Sequence, residues 1–153
     1  NKQTELPLIL GWDQPRRYLV LAQDPAELRP SGGFIGTYGI VVFDKGRLAE
    51  RSFKDSYTLD ADTTYAYIEP PRALQGHLLG PESWGLSDST WSPHFPTAAQ
   101  DALRIYTNES GDARIDGVIA HQSGTGGETA APVANRSMGG TAAEPPLADS
   151  EKT

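Results

Sequence analysis

Arg29 precedes two adjacent glycines in the stretch AELRPSGGFIGTYG, which covers residues 26–39. Glycine lets backbone N–H groups approach an anion closely, and a guanidinium binds phosphate oxygens through two parallel hydrogen bonds. Arg29, Gly32 and Gly33 are therefore candidate ligands for a phosphate-bearing group. The alternative is a structural loop whose glycines bend the start of a strand. The stretch is neither a dinucleotide-binding motif nor a P-loop, because a strand follows it and no Gly-Lys-Ser/Thr sequence does.

A second group of charged residues, Lys54, Asp55, Asp60 and Asp62, lies in FKDSYTLDAD, where a predicted strand gives way to a predicted loop. Carboxylates at such a position can hold Mg²⁺ or accept a proton, and α/β folds place their sites at strand ends. Asp55 is the best candidate for a catalytic base or magnesium ligand, because it stands at the strand-to-loop boundary. A solvated acidic loop is the alternative.

The stretch WGLSDSTWSPHFP contains two further candidates, Asp88 and Trp91, which are predicted to line a ligand site. An indole ring can stack on a sugar or an acyl chain. For Trp84 the favoured interpretation is an aromatic plug that packs the loop onto the core, and for Trp91 both interpretations stay open. No metal-ligand spacing links the histidines, which are His77, His94 and His121.

The elements that must position these residues indicate an α/β fold. Thr97 with Gln100 forms a capping-box signature, and Gly111 closes the longest predicted helix. A shorter helix is predicted to begin near Pro71, and 56–66 is predicted to be a loop. The predicted strands are 17–23, the hairpin 34–43 with 47–54, and ARIDGVIA at 113–120. The fold class is therefore a mixed sheet with a central hairpin and two or more helices.

Composition divides the chain into two parts. All three Trp, six Tyr and four Phe lie in residues 1–121, which are expected to form one modest core. Residues 122–153 are predicted to be a disordered tail, because they bury too little apolar surface to offset their ordering entropy. The abrupt change predicts a sheet truncated at its C-terminal end, by a truncated or frameshifted gene or by a natural linker.

Charge and residue usage exclude several function classes. The net charge of −7 argues against a nucleic-acid partner, which requires a basic surface. The absence of cysteine excludes disulfides and thiolate metal sites. No apolar run approaches the ~20 residues that cross a bilayer.

Four stretches together resemble a bacterial domain of unknown function, DUF4012. They are RRYLVLAQDPAELRPSGGFIGTYGIVVFDKGRL, KDSYTLD, WGLSDSTWSPHFPTAAQDAL and IDGVIA, and the RPSGGFIG piece is highly specific. The resemblance covers residues 6–120. Members of that family are usually envelope proteins with an upstream membrane anchor. The resemblance therefore implies an extracytoplasmic domain that reaches the membrane only through a segment outside this chain.

That family is in turn similar to the LytR–CpsA–Psr phosphotransferases, which move polyprenyl-pyrophosphate-linked glycans onto the cell wall. By order and spacing, Arg29 falls on the first arginine of their motifs and Asp55 on the aspartate of the second. The resemblance implies that Arg29 and Lys54 hold a pyrophosphate, which Gly32 and Gly33 allow to approach closely. It also implies that Asp55 binds Mg²⁺ or activates an acceptor hydroxyl.

Two departures from the phosphotransferase pattern leave two functions open. No acid stands two residues after Arg29, where this chain has Ser31, and Lys54 replaces an arginine and so loses bidentate recognition. The first function is an envelope domain that binds a pyrophosphate- or glycan-bearing lipid, as a phosphotransferase or a non-catalytic relative. The second is a structural or interaction domain in which Arg29 and the glycines only shape a loop.

Overall fold

The computed structural model describes residues 2–62, 66–79 and 82–122. Apart from Gln122, the predicted disordered tail lies outside these residues. The strands are β1 (Arg16–Asp24), β2 (Phe34–Asp44), β3 (Arg47–Asp55) and β4 (Gly117–Gln122). The helices are α1 (Lys2–Ile9), α2 (Ser56–Asp60), α3 (Arg72–Leu74) with a π-helical turn over Gln75–Leu79, a 3₁₀ segment over Leu86–Trp91, and α4 (Phe95–Ser110).

The four strands form one mixed sheet in the order β3-β2-β1-β4. β1 pairs antiparallel with β2 and parallel with β4, and β2 pairs antiparallel with β3. The prediction of a mixed α/β sheet with a central hairpin is therefore confirmed. The β2–β3 hairpin turns at Lys45 and Gly46, both of which have positive φ, and their N–H groups donate to the carbonyls of Gly11 and Leu10.

The core lies between one face of the sheet and α4. Leu19 and Leu21 of β1 are fully buried there, against Ala102 and Ile105 of α4 in the same cluster. The ring of Tyr38 meets that of Tyr106 edge-on, with centroids 5.8 Å apart. Burial of such side chains supplies the main driving force for folding. It also fixes the height of α4 above the sheet edge where the candidate residues lie.

Two details of the helices differ from the sequence prediction. α4 begins at Phe95 and its N-cap is His94, so the capping box predicted at Thr97 is wrong. Thr97 lies inside the first turn, where its hydroxyl is 2.9 Å from Nδ1 of His94. Gly111 ends the helix at φ 70° as predicted. The loop predicted at 56–66 instead begins with α2, because the Asp55 carboxylate caps that helix.

Candidate functional site

The motif segments meet at one end of the sheet, where several strands begin or end. β1, β3 and β4 run in the same direction and β2 is antiparallel to them. The carboxyl ends of these three strands therefore lie at this end of the sheet, together with the amino end of β2. The loop 25–33, α2 and the 3₁₀ segment all lie there. We call their interlocking residues, together with one residue of α4, the polar junction: Arg29, Ser31, Gly33, Ser56, Asp60, Asp88, Thr90 and Glu109.

Arg29 and Asp88, both predicted ligand residues, form an ion pair with each other. Nε and Nη2 of Arg29 are each 2.7 Å from Oδ1 of Asp88. Nη1 donates to the Leu28 carbonyl at 3.0 Å, and the guanidinium carbon lies 5.3 Å from the Phe34 ring centroid. The two charged side chains are only 14% and 10% exposed. Each therefore neutralises the other in a largely dry environment.

The close backbone approach that the two glycines permit is to β1. Gly33 has φ 147°, and a Cβ there would overlap the carbonyl oxygen of Asp24. Gly32 has φ 133°, and a Cβ there would overlap the side-chain amide of Gln23. Both conformations are ones that L-residues with side chains rarely adopt. The glycines thus let the loop after β1 fold back onto the end of that strand.

Hydroxyl groups attach this loop to its neighbours. Thr90 donates its hydroxyl to the Gly33 carbonyl at 2.6 Å, and its own carbonyl accepts from both the N–H and the hydroxyl of Ser31. Ser56 at the start of α2 donates to the Ile35 carbonyl of β2. Thr90 and Ser56 are completely buried. Buried polar groups are tolerated when they are hydrogen-bonded, and these are.

Lys54 and Asp55, the other two predicted reactive residues, lie apart from this network. Both are exposed, and no hydrogen bond or ion pair joins either of them to Arg29. Asp55 Oδ1 accepts the N–H of Tyr57 at 2.8 Å, and Lys54 forms no ion pair with any described residue. Within the described ranges no group of three or more His, Cys, Asp or Glu side chains is placed to hold a metal ion.

The model of one family, described as "Protein of unknown function (DUF4012)", matches residues 13–125. The chain belongs to this family. The matched range contains every residue of the polar junction, so the junction is built within the family domain. No curated protein and no solved structure matches the chain. In the described part, no helix is long and apolar enough to cross a membrane.

A pair of carboxyl groups links α2 to α4 in the DUF4012 domain. Asp60 accepts three hydrogen bonds at the start of the 3₁₀ segment: Oδ1 from the N–H of Leu86 at 2.7 Å, and Oδ2 from the N–H and hydroxyl of Ser87. Glu109 of α4 faces Asp60 and is 7% exposed. Its Oε2 is buried and has no hydrogen-bond partner among the described residues. A contact between two carboxyl groups becomes a hydrogen bond only when one is protonated.

Burial raises the pKa of Glu109 to about 8, with the Asp60 charge and the hydrogen bond to Asp60 acting in the same direction. Burial also raises the pKa of Tyr38, which faces this pair from β2, with smaller contributions from Tyr106, Glu109 and Asp60. A pKa of about 8 keeps Glu109 mostly protonated at neutral pH, so that it can donate a hydrogen bond to Asp60, while the backbone hydrogen bond to Leu86 lowers the pKa. Pairs of carboxyl groups with separated pKa values occur at functional sites and in structural networks alike.

The two tryptophans of the WGLSDSTWSPHFP stretch have different environments. Trp84 is buried, and its indole N–H donates to the Asp88 carbonyl at 3.0 Å, in agreement with the predicted plug. The guanidinium carbon of Arg104 lies 5.7 Å from the Trp84 ring centroid. Trp91 is partly buried and packs against the core cluster. Its predicted role in ligand contact stays a prediction.

Sequence reasoning missed Glu109, Ser56 and Thr90. Glu109 had a usable signal, because it continues the apolar stripe of α4 one turn beyond Tyr106. A carboxyl group on a core-facing stripe indicates a buried partner. Ser56 and Thr90 had no such signal, since nothing in the sequence shows which carbonyl a serine or threonine hydroxyl will reach.

Proposed function

We propose that this chain is a non-catalytic structural or interaction domain of a cell-envelope protein. The observation that carries the proposal is the ion pair of Arg29 with Asp88, at 2.7 Å. Each of the three guanidinium nitrogens has one partner within the chain, Asp88 for Nε and Nη2 and the Leu28 carbonyl for Nη1, and the Phe34 ring lies against the group. The envelope setting rests on the family resemblance alone.

A phosphate ligand would have to compete with this arrangement. Binding through Arg29 would separate it from Asp88 and leave a carboxylate that is 10% exposed without its cationic partner. Breaking a buried ion pair costs about 3–5 kcal/mol, because an uncompensated charge stays in a poorly solvated place. The favourable contacts of a ligand would therefore have to exceed this cost before any net binding resulted. The geometry favours a structural role for Arg29.

A pyrophosphate- or glycan-linked lipid, bound as in the LytR–CpsA–Psr phosphotransferases, is the second candidate. Lys54 favours it, because its ammonium group is exposed and has no ion pair with any described residue. It stands beside Asp55, whose carboxylate is exposed at the carboxyl end of β3. In this alternative Lys54 contacts the phosphates and Asp55 binds Mg²⁺ or accepts the proton of an acceptor hydroxyl.

Denaturation of ion-pair variants tests the structural role. We expect Arg29→Ala and Asp88→Ala each to lower the free energy of unfolding by about 3 kcal/mol, and the double variant to lose clearly less than the sum. Arg114→Ala is the matched control, because that side chain is 84% exposed and its ion pair should contribute less than about 0.5 kcal/mol. Unfolding free energies that are equal for Arg29→Ala and Arg114→Ala would contradict the proposal.

A binding titration separates the two candidates. The full chain is titrated with a polyprenyl pyrophosphate, with and without Mg²⁺, and Lys54→Ala is the ligand-site variant because its exposed side chain should leave the fold intact. We expect no saturable binding to either protein. Saturable binding to the wild type that Lys54→Ala removes, at an unchanged unfolding midpoint, would establish the second candidate and overturn the first.

A further inference from the structure

In the part of the chain that the structure describes, β3 is an edge strand and all of its residues are exposed. Every residue from Arg47 to Asp55 is exposed, and among the described residues β3 forms strand pairing with β2 alone. The outer edge of such a strand presents unpaired N–H and C=O groups that can pair with another strand. β3 is as long as β1, and its pairing with β2 is regular from Glu50 to Asp55, with a register shift at Ala49.

The sequence of β3, RLAERSFKD, is complementary to itself in one antiparallel register. When two copies are paired about Ser52, Glu50 of each copy stands opposite Lys54 of the other. Arg51 then stands opposite Phe53, an exposed aromatic ring that can receive a cation. Directly opposite residues share a face of the sheet, so both pairings bring the side chains together.

Neighbouring registers are less favourable. Pairing about Glu50 or about Arg51 places two like charges directly opposite each other at the centre, which is destabilising. Pairing about Phe53 places Arg51 opposite Asp55, but it leaves Glu50 without a facing residue of β3 and shortens the paired segment to 51–55, whereas pairing about Ser52 extends over 49–55. A two-fold axis requires the central residue to face its own copy, and Ser52 is small and uncharged there.

We propose that two copies of this chain associate through antiparallel β3–β3 pairing about Ser52, which joins their four-stranded sheets into one. The proposal goes beyond the proposed function and uses no residue of the polar junction. The partner is a second copy because the complementary charges are both on β3. One strand edge buries little area, so the dimer is expected to be weak and to dissociate on dilution.

Charge reversal with mixing tests the register. The mass of the full chain is measured by sedimentation equilibrium over a range of concentrations. We expect Lys54→Glu and Glu50→Lys each to weaken the dimer by about tenfold or more, because each turns two attractive pairs into repulsive ones. An equal mixture of the two variants should dimerise again, since each chain then meets its complement at both positions. The double variant E50K/K54E should also dimerise.

Glu27→Lys is the matched control, because that side chain is exposed in the loop outside β3. It should leave the dimer unchanged, and circular dichroism should show that all variants keep the fold. A wild type that stays monomeric throughout the range would overturn the proposal. A dimer whose dissociation constant is unchanged by the charge reversals at Glu50 and Lys54 would also overturn it. So would single variants that stay monomeric when they are mixed. The dimer is measured without lipid, because the second candidate function also places Lys54 at its ligand, and the two results are then independent.

Discussion

The polar junction and β3 are both rich in polar side chains, yet the chain uses them in opposite ways. In the junction Arg29 is 14% exposed and has partners for its hydrogen-bonding nitrogens. On β3 the basic side chains are exposed, and Lys54 forms no ion pair with any described residue. In the sequence both Arg29 and Lys54 are candidate ligands for a phosphate group. Their burial makes the first a part of the fold and leaves the second available to another molecule.

The two regions also differ in how far their polar residues depend on one another. A buried donor or acceptor without its partner costs about 1–3 kcal/mol, so each residue of the junction constrains its neighbours. An exposed polar group on β3 can exchange a lost partner for water. Substitutions in the two regions should therefore differ sharply in cost. Two of the following experiments measure the contribution of junction residues, and the third compares the junction directly with β3.

The largest effect is expected from Gly33→Ala. The new methyl group would overlap the Asp24 carbonyl oxygen, and alanine disfavours φ 147°. We expect the free energy of unfolding to fall by about 3 kcal/mol or more, measured by urea denaturation. Gly36→Ala in β2 is the control, because a Cβ there meets nothing within 4 Å. A change for Gly33→Ala no greater than that for Gly36→Ala would show that the loop does not need this backbone conformation.

The next effect is a pH dependence of stability that originates at Glu109. Its pKa rises from an ordinary 4.5 to about 8 in the folded protein, so the folded state holds a proton that the unfolded state releases. The stabilisation is complete below pH 4.5 and is lost as pH rises through 8. Each pH unit within this window should lower the free energy of unfolding by up to about 1.4 kcal/mol, a smaller step than the change for Gly33→Ala.

Glu109→Gln supplies the control for this pH dependence. Glutamine keeps an N–H donor toward Asp60 but does not titrate. We expect urea midpoints of the variant to change much less between pH 5 and pH 9 than those of the wild type. Tyr38 faces the same pair, but its raised pKa places its titration above this window. Parallel pH profiles for the two proteins would show that Glu109 is ionised in the folded state.

The smallest of the three effects compares two serines. Ser56 is fully buried and donates to the Ile35 carbonyl, whereas Ser52 is exposed on β3. Replacing Ser56 with alanine should cost about 1–2 kcal/mol, because the Ile35 carbonyl loses a donor. Ser52→Ala should stay within about 0.5 kcal/mol. Thermal unfolding of both variants measures the difference, and equal melting temperatures would remove the contrast between the regions.

Sequence patterns were sufficient for the sheet and insufficient for the junction. The strand predictions at 17–23, 34–43 and 47–54 agree with β1, β2 and β3, because each is a short run between strong turn residues. The strand predicted at 113–120 begins four residues too early, since β4 starts at Gly117 and the Asp112 carboxylate accepts the N–H of Arg114 in the segment before it. The prediction for the start of α4 is wrong, because Thr97 and Gln100 match a capping-box pattern although the N-cap is His94. The family prediction is confirmed by the match over 13–125, while the similarity to phosphotransferases stays a prediction.

The sequence by itself determined β1, β2 and β3, the helix that ends at Gly111 and the family, since these follow from patterns within short windows. Only the tertiary structure decided what the polar residues do. Arg29 and its partner Asp88 are 59 residues apart, and Glu109 meets Asp60 only when α4 packs over the sheet. A hydrogen bond or a pKa depends on which groups folding brings together and on how much water it removes.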